Sequence, residues 1–514
     1  MIFPGGLLPE DVLLSYELKM FTTAAHTYTF YTRHQSCSII SQEDDTNLKW
    51  NEKMVTRAQG FSSSHPSGIA RHRRYKRHPV CHTAVKTIQC CHSLKITMLA
   101  VLCLIFCSLS SASATFVHPG LLHTSSDLAR VRRHVLANEA PWNGSWVLLS
   151  QHTRNSNYVP RNTSFINRGT VGQQNYPLLY IDLAYAYTFS VSWAVTGNVS
   201  HAKAAGRILD AWSSSLQLIN GTSDKYLASG IYGYAFAQSA ELLRSYDGWT
   251  GLQQFQKMLL EVFYPMNKAF LDHHNGQDVY HYWANWDLCN TASMMAVGIL
   301  TDNQTMFDYA YNYFLNGEGM GTLHNTLWKV YDVDDGMCQL QESGRDQGHS
   351  QLDLALLQSI AQMAFNQGRD LFSANDNLIL KGAEYFSKYN LGYDVPYTPY
   401  LSVDYNQSII SQDSRGPNPR PIWTLLYQHY AVYKGLPCRW TTQFAQLGQP
   451  EGGGLDLGGG GGNYDQLGYG TLMYTLSQED VEEYRREHPL GDVTESTITS
   501  YHAGTTAQGS ASGL

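Results

Sequence analysis

Four side chains able to move protons or hold charge crowd into ten positions of this 514-residue chain: Glu342, Arg345, Asp346 and His349, within QESGRDQGHS from Gln341 to Ser350. Gly344 and Gly348 interleave them, and LDLALLQSIAQMAF follows at once, so a polar turn feeds a helix. A second polar cluster, HYWANWDLCN (His281–Asn290), lies upstream, and a third, RPIWTLLYQHY (Arg420–Tyr430), lies downstream. The helices between the clusters are expected to bring all three to one cleft.

The residue types narrow the chemistry. A glycoside hydrolase needs two carboxylates across the scissile bond, and Asp287, Asp334, Asp335, Glu342 and Asp346 are available. His273, His274, His281 and His349 lack the HExxH and DxDxDG spacings of metal sites, and no G-x-S-x-G or Cys/His nucleophile is present, so no metal or other cofactor is expected. β-Elimination of a uronic acid polymer asks for three different tasks. The sugar carboxylate must be neutralised, the weakly acidic C5 proton removed, and the departing O4 protonated. Asn, Arg or a protonated acid suits the first, His or Tyr the second, and Tyr the third. The clusters hold these types: Asn285; Glu342, Arg345 and His349; Arg420, Tyr427 and Tyr430.

Plainer roles compete at each position. His349 could cap its helix, Arg345 could pair with Asp346 or Glu342, and Asp287 reads as an ion-pair partner. Trp283 and Trp286 are either core or sugar-stacking platforms. Arg415 and Arg420 are candidate subsite cations. Tyr427 and Tyr430, three residues apart, share a helix face, so either could point inward.

Composition agrees with a carbohydrate ligand. Aromatic residues make up 12% of the chain, with 34 Tyr and 11 Trp, while only 15% of residues are charged. The net charge of −8 is uneven: residues 1–114 hold 12 Lys+Arg against 7 Asp+Glu, and residues 115–514 hold 23 against 36. So acidic a body is a poor nucleic-acid binder. An anionic polysaccharide would need a local cationic patch in the cleft.

The most apolar run, ITMLAVLCLIFCSL from Ile96 to Leu109, is too short for a membrane span, so no stable span is expected. Small residues follow, with A-S-A ending at Ala114. Residues 98–114 therefore read as a signal peptide opened by Met98, and residues 1–97 as a non-native or disordered extension. With translation from Met1 the same run would be a signal anchor. Secretion fits the sequons at Asn143, Asn162, Asn198, Asn220, Asn303 and Asn406. Cys289, Cys338 and Cys438 remain in the body, enough for one disulfide and one free thiol but for no zinc spacing.

From His118 onward the apolar period is helical. Thr124–Asn138 opens on Ser/Asp caps with Leu128, Val131 and Val135 on one face, and a long run from Pro177 ends at Gly197, a C′ residue. Many paired helices and no strand–helix repeat predict an all-α fold, an (α/α) toroid built as an incomplete barrel of antiparallel hairpins over residues 115–476. The glycine-rich stretch Gln449–Gly470 lacks GK[ST] and is expected to be a flexible surface loop, with closure over substrate as the alternative. Residues 477–514 are expected to form a disordered tail.

The motifs HPGLLHTSSDLARVR, AYAYTFSVSWAVTGN, NWD at Asn285–Asp287, ESGRDQGHSQLDLALL, RPIWTLLY and PEGGG…YDQLGYGTL occur in that order. Through them the chain resembles the alginate lyase domain of polysaccharide lyases, within the chondroitin AC/alginate lyase superfamily, and is most similar to polysaccharide lyase family 38. The resemblance implies an (α/α) toroid that cleaves polyuronates such as alginate or glucuronan. It implies His349 as general base, Tyr427 as general acid, Glu342 and Arg420 at the substrate carboxylate, and Asn285 assisting. Thr424 stands where the family tends to carry an acid. A hydrolase on the same ring and a non-catalytic glycan-binding relative are the alternatives.

Overall fold

The computed structural model describes residues 28–32, 35–39, 116–458 and 460–490. The chain divides into two units, residues 1–105 and 106–514. In the first, β1 (Tyr28–Thr32) pairs antiparallel with β2 (Gln35–Ile39). Those strands aside, the expected extension over 1–97 and the signal-like segment over 98–114 lie outside the described residues.

The second unit is helical. It begins with α1 (Ser125–Leu136), capped by Thr124 and Asp127 in a reciprocal capping box, and α2 (Trp142–Thr153). Next come α3 (Pro177–Thr196) and α4 (Val199–Ser215). Pro177 starts α3, and Gly197 ends it in the left-handed conformation (φ 74°) that glycine adopts without strain. α5 (Lys225–Leu243), α6 (Leu252–Met258) and α7 (Tyr264–His273) lead to α8 (Ala284–Leu300) and α9 (Gln304–Asn316). After the short α10 (Leu323–Thr326) come α11 (Gln347–Asn366), α12 (Ala374–Asn390), α13 (Trp423–Tyr427) and α14 (Arg439–Leu447). The segment ends with α15 (Gly454–Leu457), α16 (Gly470–Met473) and α17 (Gln478–Glu487).

Contacts pass around these helices as they would around a ring. α3 packs on α4 and α5, α5 on α8, α8 on α9 and α11, α11 on α12, α12 on α14, and α14 on α13. α16 then joins α13 back to α1 and α2, so the last hairpins meet the first. This is the expected (α/α) toroid. Its inner helices are buried on every side: all residues of α8 are buried, as are nearly all of α5 and α11. α3 is long and apolar enough to cross a membrane, but most of it is packed inside this ring.

Three expectations differ from what is observed. Cys289, Cys338 and Cys438 are all free and buried, carried by different elements: α8, the strand Met337–Leu340 and the start of α14. The chain beyond Ser477 folds as α17, docked on α1 where Arg133 and His134 reach the carboxylate of Asp480; residues 491–514 lie outside the described residues. The glycine-rich stretch is not a surface loop throughout. It buries Glu451, Gly452, Gly453, Gly454, Asp465 and Gln466, because glycine lets the backbone enter a crowded interior.

Candidate active site

The polar turn enters from a hairpin, β5 (Leu327–Tyr331) with β6 (Met337–Leu340), and coils once as a 3-10 turn over Gln341–Gly344 before α11 begins. Asp346 is the N-cap of α11, and its Oδ1 accepts the backbone N–H of His349 at 2.8 Å. Its Oδ2 lies 2.6 Å from His349 Nδ1. A carboxylate can only accept here, so Nδ1 carries the hydrogen and Nε2 keeps its lone pair. The imidazole remains 41% exposed, so that lone pair can meet a ligand. Burial alone would raise the Asp346 carboxyl, but hydrogen bonds from His349 and the nearby charges hold it below the ordinary range.

Glu342 faces the other way. It is wholly buried; Oε1 accepts the backbone N–H (3.1 Å) and Nδ2 (2.6 Å) of Asn285, and Oε2 accepts Arg345 Nη1 at 2.7 Å. Asn285 is in the first turn of α8, where Gln341 Oε1 also accepts the N–H of Ala284. The pair Gln341 and Glu342 thus satisfies the start of α8, the end at which an anion is favoured. Beside Glu342, Asp353 is fully buried with no N–H or O–H donor on either oxygen. Burial first, then the charge of Glu342, push its carboxyl well above the usual range, so Asp353 is held neutral. Both oxygens of Glu342 are committed, which corrects its expected place at the substrate carboxylate: Glu342 and Asn285 are bound to each other and to the scaffold.

The third cluster is tied to the first turns of α11. Gln351 Oε1 accepts the backbone N–H of Arg420 (2.6 Å) and Trp423 Nε1 (2.8 Å), and Gln347 N–H reaches the carbonyl of Asp413 at 2.9 Å. The Arg420 guanidinium runs so close past Gly348 that an added Cβ there would lie 3.5 Å from Nη2. Arg420 and His349 are therefore neighbours. Tyr427 ends α13, half-buried, and its hydroxyl makes no hydrogen bond among the described residues. Tyr430 is different. It is 0% exposed and its hydroxyl donates to the carbonyl of Phe372 at 2.9 Å, so it is a core residue and not a substrate contact. The backbone turns π-helical over Gln428–Tyr433, and that widening takes Tyr430 off the face of Tyr427.

Arg415 is likewise scaffold. Its guanidinium lies 3.9 Å from the Tyr389 ring centre, and its nitrogens go to Tyr389 O, Gln412 Oε1 and Tyr393 O. Trp286 is 8% exposed and packs on Phe270 and Tyr282, the core alternative. Trp283 is half-buried, stacked on Tyr405 at 3.8 Å with Arg345 4.8 Å from its ring, so Tyr405 and Arg345 occupy the surface a sugar would use. Thr424 has a carboxyl beside it after all. Glu451 Oε1 accepts the N–H of Trp423 (2.8 Å) and of Thr424 (2.9 Å), and burial pushes Glu451 up to about 7.

Spacing in the sequence gave no sign of Arg168. Arg168 ends β3 (Phe165–Arg168), which runs parallel to β4 (Leu218–Gly221). Gly221 (φ 130°) lies so close to Arg168 O that a Cβ would stand 1.8 Å away, so glycine is required for the pairing. The Arg168 guanidinium lies 5.0 Å from the Tyr176 ring and 5.9 Å from that of Tyr232. Tyr180 stacks on Tyr464 at 4.5 Å. Asp465 follows Tyr464, and its Oδ2 is 4.0 Å from Arg420 Nη1. Arg168, Arg420 and His349 all lower the Asp465 carboxyl, against a larger upward push from burial. Two arginines, an imidazole and a row of tyrosine rings thus converge, a set suited to a sugar acid. The signal available in sequence was the YDQ of the glycine-rich stretch, but nothing in spacing links Tyr464 and Asp465 to Arg168.

Residues 182–394 match the family model described as Alginate lyase. No curated protein matches the chain in sequence. Among solved structures, a substituted alginate lyase A1-III complexed with tetrasaccharide is 13% identical, covering 72% of this chain and 99% of its own at a TM-score of 0.49. An alginate lyase from Bacteroides ovatus is 12% identical over 70% of this chain and 100% of its own, with a TM-score of 0.47. Alginate lyase A1-III from Sphingomonas species A1 is 12% identical over 71% of this chain and 96% of its own, with a TM-score of 0.45.

Proposed function

We infer that this chain, a polysaccharide lyase carrying an alginate lyase family domain over residues 182–394, cleaves a uronate polymer of the alginate or glucuronan type by β-elimination with His349 as the base. The supporting observation is the His349–Asp346 pair with its free Nε2, set beside Arg420 in a cleft walled by Arg168 and tyrosines. Nε2 takes the C5 proton, and Asp346 stabilises the imidazolium that forms. Arg420 offsets the charge that builds on the uronate carboxylate as C5 loses its proton. The electron pair left at C5 forms the C4–C5 double bond and expels O4, which receives a proton from the acid. Tyr427 is the proposed acid, since its hydroxyl is uncommitted and it shares a segment with Arg420. Export through the segment at 98–114 would place such an enzyme where polymers of this kind are found.

Incubation of the full chain with alginate, glucuronan and related polyuronates is expected to raise the ultraviolet absorbance of an unsaturated uronate. New reducing ends without that absorbance would identify a hydrolase, and binding without either product a non-catalytic relative.

A further inference from the structure

Two buried polar atoms lack partners at one place near His349. Asp465 is 7% exposed and its Oδ1 accepts from no donor; Arg420 Nη1, 4.0 Å from Asp465 Oδ2, donates to no acceptor among the described residues. Buried polar groups of folded proteins are almost always paired, so a matched pair of orphans marks a position that something else fills. Whatever fills it must accept from an arginine and also face a carboxyl. A carboxylate does both if one proton is shared between the two acids. Glu342, the acid expected at this task, is already bound to Asn285 and Arg345.

Resting on the lyase reading, we propose that Asp465, carried into the cleft by the glycine-rich segment, shares a proton with the uronate carboxylate, Arg168 and Arg420 flanking the pair, so that substrate binding takes a proton from solvent. Two carboxylates in contact cannot both stay ionised. The incoming carboxylate therefore makes Asp465 bind a proton, forming one O–H···O⁻ hydrogen bond, with the remaining negative charge held between the two guanidinium groups. That arrangement offsets the charge that builds on the uronate carboxylate as C5 loses its proton. The glycines serve the geometry: a Cβ at Gly462 would stand 3.3 Å from Arg420 Nη2, and one at Gly468 would strike the carbonyl of Gly452 at 2.2 Å.

The groups facing Asp465 make the proton count readable. They are Arg168, Arg420 and His349, with Tyr180, Tyr232 and Tyr234 from α3 and α5 and Cys289 from α8. Burial raises all three tyrosines and takes Cys289 well above its ordinary range, so none of these four titrates near pH 8. His349 is the imidazole among these groups.

The test uses the full chain carrying His349→Ala, which removes both turnover and that competing imidazole. Tetramers of glucuronate and of mannuronate are titrated in by calorimetry at pH 8 in two buffers of different ionisation enthalpy. Uptake approaching one proton per tetramer bound is expected, falling to near zero when Asp465→Asn is added. Binding with no uptake, or with equal uptake in both variants, overturns the inference and leaves the lyase reading standing. Failure of both tetramers to bind overturns the inference, and the polyuronate screen on the unmodified chain then decides the lyase reading separately. Should Asp465→Asn not fold, the uptake of the His349→Ala chain decides alone.

Discussion

Asp346 holds His349 twice, through the backbone N–H at 2.8 Å and through Nδ1 at 2.6 Å. One carboxylate thus starts α11 and sets the tautomer of the ring. The two roles can be separated, because asparagine is as good an N-cap as aspartate but cannot accept from both positions as an anion. Asp346→Asn is expected to leave thermal stability within about 1 kcal/mol and to lower kcat by on the order of 10²–10³. His349→Ala should lose about two to four decades in kcat with KM little changed. Steady-state assay of unsaturated product checks both; wild-type turnover in His349→Ala would remove this residue from the mechanism.

The two tyrosines of the third cluster should part company. Tyr427→Phe is expected to abolish most turnover while the melting temperature stays put. Tyr430→Phe should keep turnover and lose about 1 kcal/mol of stability with its hydrogen bond to Phe372 O. The reverse pattern in paired assay and denaturant melts would move the acid off Tyr427.

The two arginines divide in the same way. Arg420→Gln is expected to cut kcat/KM by at least about tenfold to a hundredfold, since a charge-assisted contact of about 1.5–3 kcal/mol is lost. Arg415→Gln should leave kcat/KM alone, because its guanidinium is spent on Tyr389, Gln412 and Tyr393.

Glu451 gives a pH-dependent stability with a defined sign. Its folded value, about 7, lies above the ordinary glutamate value of 4.5. The neutral acid is favoured in the fold, so this group costs nothing below about pH 4.5 and progressively more as pH rises toward 7, levelling above it. The full cost is on the order of 3 kcal/mol. Glu451→Gln keeps an acceptor for the Trp423 and Thr424 N–H groups and removes the charge. It is expected to raise the melting temperature at pH 8 and to change it little at pH 5; equal shifts at both pH values would count against the assignment.

How much of this was legible beforehand depends on the distance over which each feature is decided. The helix after the polar turn and the glycine end of α3 followed from local spacing and helical period. Other features followed from long-range packing and could not be read this way. Glu342 looked like a free carboxylate because the sequence does not show that α8 presents its unsatisfied N–H groups there. Tyr430 looked equivalent to Tyr427 because an ideal helical period does not foresee the π-helical turn that buries it. Asp465 looked like part of a flexible loop because glycine content reports backbone freedom, and that freedom serves equally to wander in solvent or to thread a crowded interior.

The sequence by itself determined the helical class and the residue types of an elimination reaction, since these rest on composition and on neighbours within one or two turns. Only the tertiary structure decided which charges are spent on the scaffold and which face the cleft. Closing the ring sets β3, α11, the Arg420 segment and the glycine-rich segment against one another, and burial then prices each charge by the partners it finds there. Arg168, Arg420 and Asp465 stand far apart along the chain, and it is that closure which makes them one site.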